Sequence, residues 1–190
     1  MSIREERHKT ITVLVSFIDD KPRFLTVRDR RHKDWIFITG GCRKRETSNP
    51  LRCALRELEE ETRGVILLKE GSYSHFSFVH NTRTPEEEEQ DLIDGLDVIV
   101  VYNVYIIEYN VSRDIQTSII EEFNRRRVQV EQRKKLKLHI RRSYDENDML
   151  SFDTIDEFKT KQQWSVIKEF VVDNPEFYET LKSPKRPFNL

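Results

Sequence analysis

Apolar and polar residues alternate at period two through much of the first half of the chain and shift to helical spacing in the second. Residues 10–18 (TITVLVSFI), 23–28 and 35–38 predict three strands in quick succession. Gly40-Gly41 then breaks the pattern, and Asn49-Pro50 opens a helix, with a capping side chain followed by proline at the first helical position. That helix is expected to run to about Thr62, with Gly64 placed to end it. Further strands are expected at 65–69, 74–81 and 96–108. The last is nearly continuous in Val, Ile and Tyr, as a strand covered on both faces must be. Residues 84–91, dense in glutamate, read as a charged loop. Ile115, Ile119, Ile120 and Phe123 give a short amphipathic helix that runs into Arg125, Arg126 and Arg127. Residues 135–142 alternate again, with Leu136, Leu138 and Ile140 on one side and Lys135, Lys137, His139 and Arg141 on the other, which predicts a strand with one basic face. Residues 149–152 form one more strand. Residues 154–181 look helical, with Phe158, Trp164, Ile167, Phe170 and Val171 available to cover the sheet and Asn174-Pro175 as an interruption.

A chain of 190 residues suits one domain, here 1–190, with a basic insertion at about 112–142 and a C-terminal helical segment at about 154–181. Apolar residues make up 36% and charged residues 35%, and 11 Phe supply a core, so the chain should fold. The 33 basic and 34 acidic residues nearly cancel, so charge informs only through its distribution. The first residues lack an apolar run of signal-peptide length, and the longest apolar stretch, near 98–101, is too short to span a bilayer. The expectation is a soluble, cytoplasmic protein with no membrane partner. Cys42 and Cys53 form neither a C-x-x-C pair nor a cysteine framework and read as reduced thiols.

The chemistry concentrates in residues 40–65. At 100° per residue, Leu51, Ala54, Leu55, Leu58 and Thr62 fall on one stripe that can pack on the sheet. Glu57, Glu60 and Glu61 stand at i, i+3 and i+4 on a different face, while Arg52, Glu59 and Arg63 point toward solvent. Three carboxylates at this spacing repel one another unless a cation sits among them, and Mg²⁺ or Mn²⁺ suits an all-oxygen site of this kind. A bare E-x-x-E-E would read as a solvated acidic face. Its context changes that reading: Gly40-Gly41 and Glu46 precede the helix, Arg56 adjoins the acids and Gly64 closes it.

This segment resembles the Nudix box, G-x5-E-x7-R-E-U-x-E-E-x-G-U with U a bulky aliphatic residue. Gly40, Glu46, Arg56, Glu57, Leu58, Glu60, Glu61, Gly64 and Val65 fill its positions. Two departures flank the helix: nine residues separate Glu46 from Arg56 in place of seven, and Thr62-Arg63 puts two residues before Gly64 in place of one. The resemblance implies an α/β/α sandwich with a mixed central sheet, and a hydrolase cleaving a phosphoanhydride bond of a nucleoside diphosphate-linked substrate with Mg²⁺ or Mn²⁺. It implies Glu57, Glu60 and Glu61 as metal ligands, with Glu57 as an alternative base, and Gly40 and Glu46 as further candidate ligands. Arg56 would hold a carboxylate by a bidentate pair. Glu146, ahead of the strand at 149–152, is the first candidate for an acid supplied from outside the box, with Glu121, Glu122 and Glu86 to Glu89 as rivals.

Residues 125–142 carry nine Arg and Lys against one acid, Glu131. A basic strip beside a pyrophosphatase site suits a polyanion such as the 5′ end of RNA, with Lys135, Lys137 and Arg141 as backbone contacts; a solvated basic face is the alternative. Trp35, Phe76, Phe78, Tyr102 and Tyr105 could stack on a base, although aromatics in strands more often belong to the core. Capped RNA, in the manner of the mRNA-decapping branch, is thus the expected substrate. The alternatives are a small-molecule pyrophosphatase acting on nucleoside diphosphate sugars, dinucleoside polyphosphates or diphosphoinositol polyphosphates, and a non-catalytic binding module.

Overall fold

A computed structural model describes residues 1–18 and 21–190. It contains eight strands: β1 (Ile3–Ser16), β2 (Arg23–Asp29), β3 (Trp35–Ile36), β4 (Ile38–Gly41), β5 (Glu70–Val79), β6 (Leu96–Glu108), β7 (Asn147–Asp153) and β8 (Arg186–Asn189). The helices are α1 (Pro50–Glu61), α2 (Pro85–Ile93), α3 (Arg113–Lys135), α4 (Ile155–Lys159), α5 (Ser165–Ile167) and α6 (Pro175–Lys182). The strands form one mixed sheet in the order β3-β2-β1-β6-β5-β8, with β4 also pairing β1 and β7 also pairing β2. Its spine is the parallel pair β1 and β6, in register from Ile3 opposite Leu96 to Val15 opposite Glu108. The other pairings are antiparallel.

Alternation along the spine sorts side chains between two layers. Ile11, Val13, Val15, Val100, Tyr102 and Val104 meet Phe158, Ile167, Val171 and Phe177 from the C-terminal helices. On the other face Leu14, Tyr105 and Ile107 meet Leu51, Ala54, Leu55 and Leu58 of α1 and Ile119 and Phe123 of α3. This is the expected α/β/α arrangement. Each such buried aliphatic or aromatic side chain contributes about 1.5–3 kcal/mol relative to exposure. Tyr102 and Phe76 belong to this core, and Phe78 is stacked between Tyr102 and Phe170 at centroid distances of 5.0 and 4.7 Å, so packing already occupies these rings.

Five expectations are corrected. Residues 84–91 are mostly helical: Thr84 Oγ1 accepts from the Glu87 amide at 3.2 Å and the Glu87 carboxylate accepts from the Thr84 amide at 2.8 Å. This capping box, with Pro85 at the first helical position, turns a run of acids into the favourable first turn of α2. Residues 65–69 form no strand, because Arg63 and Gly64 both take left-handed backbone conformations (φ 55° and 72°) and swing the chain away before β5 begins. The C-terminal segment is broken between α4 and α5, where Trp35 donates to the Gln162 carbonyl (2.8 Å) and accepts from the Trp164 amide (3.3 Å).

The fourth correction concerns the basic strip. The helix over 115–123 extends to Lys135, capped at its start by Ser112 Oγ, and residues 136–142 form no strand. Lys137 takes a left-handed conformation (φ 54°), its amide donates to the Lys134 carbonyl at 3.0 Å and the Leu138 amide donates to the Arg133 carbonyl at 2.9 Å. These two hydrogen bonds satisfy the carbonyls of Arg133 and Lys134 at the end of the helix. Arg133, Lys134 and Lys135 also lie in the last turn, where cations face the negative end of the helix dipole. Leu136 and Leu138 are 70% and 49% exposed, so the alternation encoded no buried face. Lys135, Lys137 and Arg141 therefore do not share a strand surface.

Arg63, expected in solvent, is 1% exposed. Its Nε donates to the Tyr144 carbonyl at 2.7 Å and its Nη2 to the Asn147 carbonyl, and the guanidinium lies 4.1 Å from the centroid of the Phe123 ring. Burial lowers its pKa to about 10. Replacing Arg63 by Met leaves buried carbonyls without donors, and urea denaturation is expected to show a loss of about 3 kcal/mol. A loss below about 1 kcal/mol, the size of one ordinary hydrogen bond, would contradict this clamp.

Candidate active site

Helix α1 separates its faces as its spacing predicts. Leu51, Ala54, Leu55, Leu58 and Thr62 are buried against the sheet. Glu57, Glu60 and Glu61 form the second face and are also largely withdrawn from water, at 8%, 6% and 4% exposure. Pro50 stands at the first helical position, but the Asn49 side chain caps nothing. The chain turns at Lys44–Glu46 before the helix, and across the longer spacer that follows Glu46 still faces Arg56.

Arg56 organises the cluster. Its Nε donates to Glu46 Oε2 at 2.9 Å and its Nη2 to Glu46 Oε1 at 3.0 Å, a bidentate pair. Nη1 reaches Glu57 Oε1 at 2.7 Å and Glu60 Oε2 at 3.1 Å, and Nη2 also donates to the Gly41 carbonyl at 3.1 Å. One guanidinium thus ties the loop before α1, the end of β4 and the acidic face together. Burial pushes the Glu46 carboxyl upward, but the Arg56 bonds and the Arg43 amide outweigh it, so the group lies below the ordinary range. Both Glu46 oxygens are engaged by these partners.

Glu57 and Glu61 have the opposite character. Burial raises Glu57 to about 7 against the pull of Arg56, with Glu60 and Glu146 adding repulsion. Glu61 is likewise raised well above the ordinary carboxylate range, by burial first and then by Glu57 and Glu146. Its partners are neutral: Asn147 Nδ2 at 3.2 Å and the Thr39 backbone amide. Among the described residues no cation forms an ion pair with Glu61. Glu146, at the rim, is raised by partial desolvation and by Glu60 and Asp29. The structure thus brings Glu146 into the field of the α1 acids. Gly40, paired opposite Thr10, lies against Glu57, and a Cβ there would overlap the Glu57 carboxylate.

The donor set suits a hard divalent ion: buried carboxylates held close, with more negative charge than their arginines neutralise. Among the described residues no three acidic, histidine or cysteine side chains already converge on one point, and Arg56 Nη1 lies between Glu57 and Glu60.

The remaining candidates divide. Arg141 joins the site, its Nη2 3.4 Å from Glu60 Oε1. Lys135 and Lys137 are exposed at the end of α3 and in the turn after it. Trp35 is half-buried, with the Lys161 ammonium 3.6 Å from its ring centroid. Trp164 packs against the sheet core as expected and also lines a cavity of about 400 Å³ with Asp29, His32, Asp34, Ile36 and Thr39. Of the rivals to Glu146, Glu122 pairs with Arg125 and Arg126, and Glu121 and Glu86 to Glu89 are exposed. Sequence reasoning missed Arg43, which reaches Glu60 at 3.4 Å, and Asn147; both meet α1 only through tertiary contacts with no local signature.

Residues 7–145 match the NUDIX domain family, and the chain belongs to it. No curated protein matches the sequence significantly. Among solved structures, the NUDIX domain of Shewanella oneidensis NrtR complexed with ADP ribose is similar at a TM-score of 0.53 and 10% identity, covering 88% of this chain and 85% of that one. A C. elegans Ap4A hydrolase aligns at 0.46 and 12% identity (93% of each chain), and the M. smegmatis Nudix hydrolase RenU at 0.48 and 12% (83% of this chain, 77% of that one). Among the described residues no helix is long and apolar enough to cross a membrane.

Two substitutions test the arrangement. Arg56→Lys keeps the charge but loses the planar fork, so turnover and metal response should fall by roughly 10–100-fold, the scale for losing a group that orients ligands. A rise in KM with kcat and metal response unchanged would make Arg56 a substrate contact instead. Gly40→Ala should leave the melting temperature nearly unchanged, since the flexible end of Glu57 can yield, while displacing that carboxylate and lowering kcat about 100-fold. Full activity would show that the position of Glu57 is not critical.

Proposed function

We propose that the chain hydrolyses a phosphoanhydride bond of a nucleoside diphosphate-linked substrate, using Mg²⁺ or Mn²⁺ held by Glu57, Glu60 and Glu61. The observation that carries this reading is Glu61, a buried carboxylate with no cationic partner among the described residues, beside Glu57 and Glu60. The Gly40 carbonyl is assigned to the same ligand set. Glu46 is assigned to holding Arg56, because both its oxygens serve that turn. When bound, the ion supplies charge neutralisation at phosphate and a lowered pKa for water. Arg56 orients Glu57 and Glu60. Glu146 is positioned to accept a proton from an attacking water, with Glu57 as the alternative base. Retention of all three box glutamates argues against a non-catalytic binding module.

For the remainder of the substrate, the 5′ cap of RNA is the first reading, supported by the cationic surface of α3 and residues 136–145. A small-molecule substrate, namely a nucleoside diphosphate sugar, a dinucleoside polyphosphate or a diphosphoinositol polyphosphate, is the second. It is favoured by the loss of an extended basic strand and by a NUDIX domain of like fold that binds ADP ribose.

Glu60→Gln and Glu61→Gln should each lower metal-dependent turnover by about 100-fold or more, the kinetic equivalent of roughly 3 kcal/mol, while the protein stays folded. Turnover within about threefold of the unmodified protein for both would refute the assignment. Product analysis over capped RNA, free cap dinucleotide, ADP-ribose, diadenosine polyphosphates and diphosphoinositol phosphates then separates the two substrate readings.

A further inference from the structure

A second cavity, of about 570 Å³, lies between α3 and the segment 136–145. Arg63, Arg125, Arg126, Arg133, Arg141 and His139 line it, and no aspartate or glutamate does. The carboxylates paired with these groups sit outside the cavity. Arg125 and Arg126 share one, Glu122, Arg141 reaches Glu59 and Glu60 at 3.7 and 3.4 Å, and Arg63 bonds only carbonyl oxygens. Among the described residues Arg133 has no acidic partner. Guanidinium groups gathered around a concave space raise one another's energy, and an anion inside lowers it.

A basic helix face is often no more than solvated surface, but three features set this one apart. It is an open concavity, bordered on one side by the chain that returns from α3 to β7. Its cations are also held in place by backbone across the cavity: Arg133 Nε donates to the His139 carbonyl at 2.9 Å and Arg126 Nη1 to the Arg63 carbonyl at 2.6 Å. Finally, it adjoins the acidic site through Arg141, which lines the cavity while its Nη2 lies 3.4 Å from Glu60.

We propose that this cavity is a phosphate subsite, taking a phosphate group of the substrate other than those of the cleaved anhydride. Guanidinium forks match phosphate oxygens in pairs, and the volume admits more than a single phosphate. A nucleobase fits less well, because the rings lining the cavity are only Tyr144, with one face already covered by Arg141 at 4.6 Å, and the small imidazole of His139. The link to catalysis rests on the hydrolase reading above. Anion binding itself does not.

The test uses inorganic tripolyphosphate without divalent metal, titrated calorimetrically into the full chain. Arg125 and Arg133 are exposed on α3, so the R125Q/R133Q double variant should fold, which a thermal melt checks. The double variant should bind at least about tenfold more weakly, the loss expected of two charge-assisted contacts, with a shallower salt dependence, while Glu61→Gln binds as the unmodified protein does. In turnover assays the double variant should raise KM at constant kcat for a substrate with phosphates beyond the anhydride, and leave ADP-ribose, which has none, unchanged. A rise with capped RNA oligonucleotide identifies the nucleic-acid backbone as the source, and a rise with diphosphoinositol phosphate identifies a small polyphosphate. Equal tripolyphosphate affinity in the unmodified protein and the double variant overturns the subsite, even if Glu61→Gln abolishes turnover. Undiminished turnover in Glu60→Gln and Glu61→Gln overturns the hydrolase reading alone.

Discussion

Three glutamates leave water together on one face of α1 with one guanidinium in contact with two of them, and most of the local architecture answers that constraint. Like charges at i, i+3 and i+4 destabilise a helix, and burial adds a desolvation cost. Arg56 offsets part of it, and can do so only because other groups fix its fork. Glu46 takes one edge in a bidentate pair and the Gly41 carbonyl takes a further donor. The pairing of β4 with β1, Lys9 opposite Gly41 and Thr10 opposite Gly40, holds that carbonyl where α1 passes. Gly40 lacks a Cβ at the point where the Glu57 carboxylate needs the room.

Arg56 contacts Glu57 and Glu60 but not Glu61, whose partners are the Asn147 amide and the Thr39 backbone. Hydrogen bonds to neutral donors moderate the cost of a buried carboxylate without cancelling its charge. The site is therefore organised on one side by a resident cation and left electrostatically incomplete on the other. That asymmetry is the electrostatic ground on which the proposed divalent ion is assigned a place beside Glu61.

How much of this was legible in the sequence depended on whether a signal was local. The packing stripe and acidic face of α1 follow from helix geometry alone, and the central place of β6 follows from a run too apolar for a strand with a wet face, whereas the polar first half of β1 carries no such signal. Residues 84–91 carried a local signal, Thr84 three before Glu87, which the density of glutamates obscured. Residues 135–142 misled for a different reason. Alternation identifies a strand only when one face is buried, and here a helix that had already formed ended through the left-handed Lys137 with its leucines in water. Arg63 was unreadable, because helical projection gives a direction only while the chain remains helical, and Arg63 lies beyond the last turn of α1.

The extra residue before Gly64 and the cationic cavity are parts of one feature. With two residues after Glu61, Arg63 takes the left-handed position that ends the helix; its amide donates to the Glu60 carbonyl at 3.1 Å and the Gly64 amide to the Glu59 carbonyl at 2.7 Å. That placement carries the Arg63 side chain inward to the carbonyls of Tyr144 and Asn147, and leaves its own carbonyl to accept from Arg126 of α3. Asn147, held by this bond, presents its side-chain amide to Glu61. The same clamp thus fixes one wall of the acidic site and draws α3, with its arginines, against the end of α1. A shorter connection would leave no side chain at this position to bridge the two, so the departure from the family spacing couples the acidic face of α1 to the basic cavity beside it.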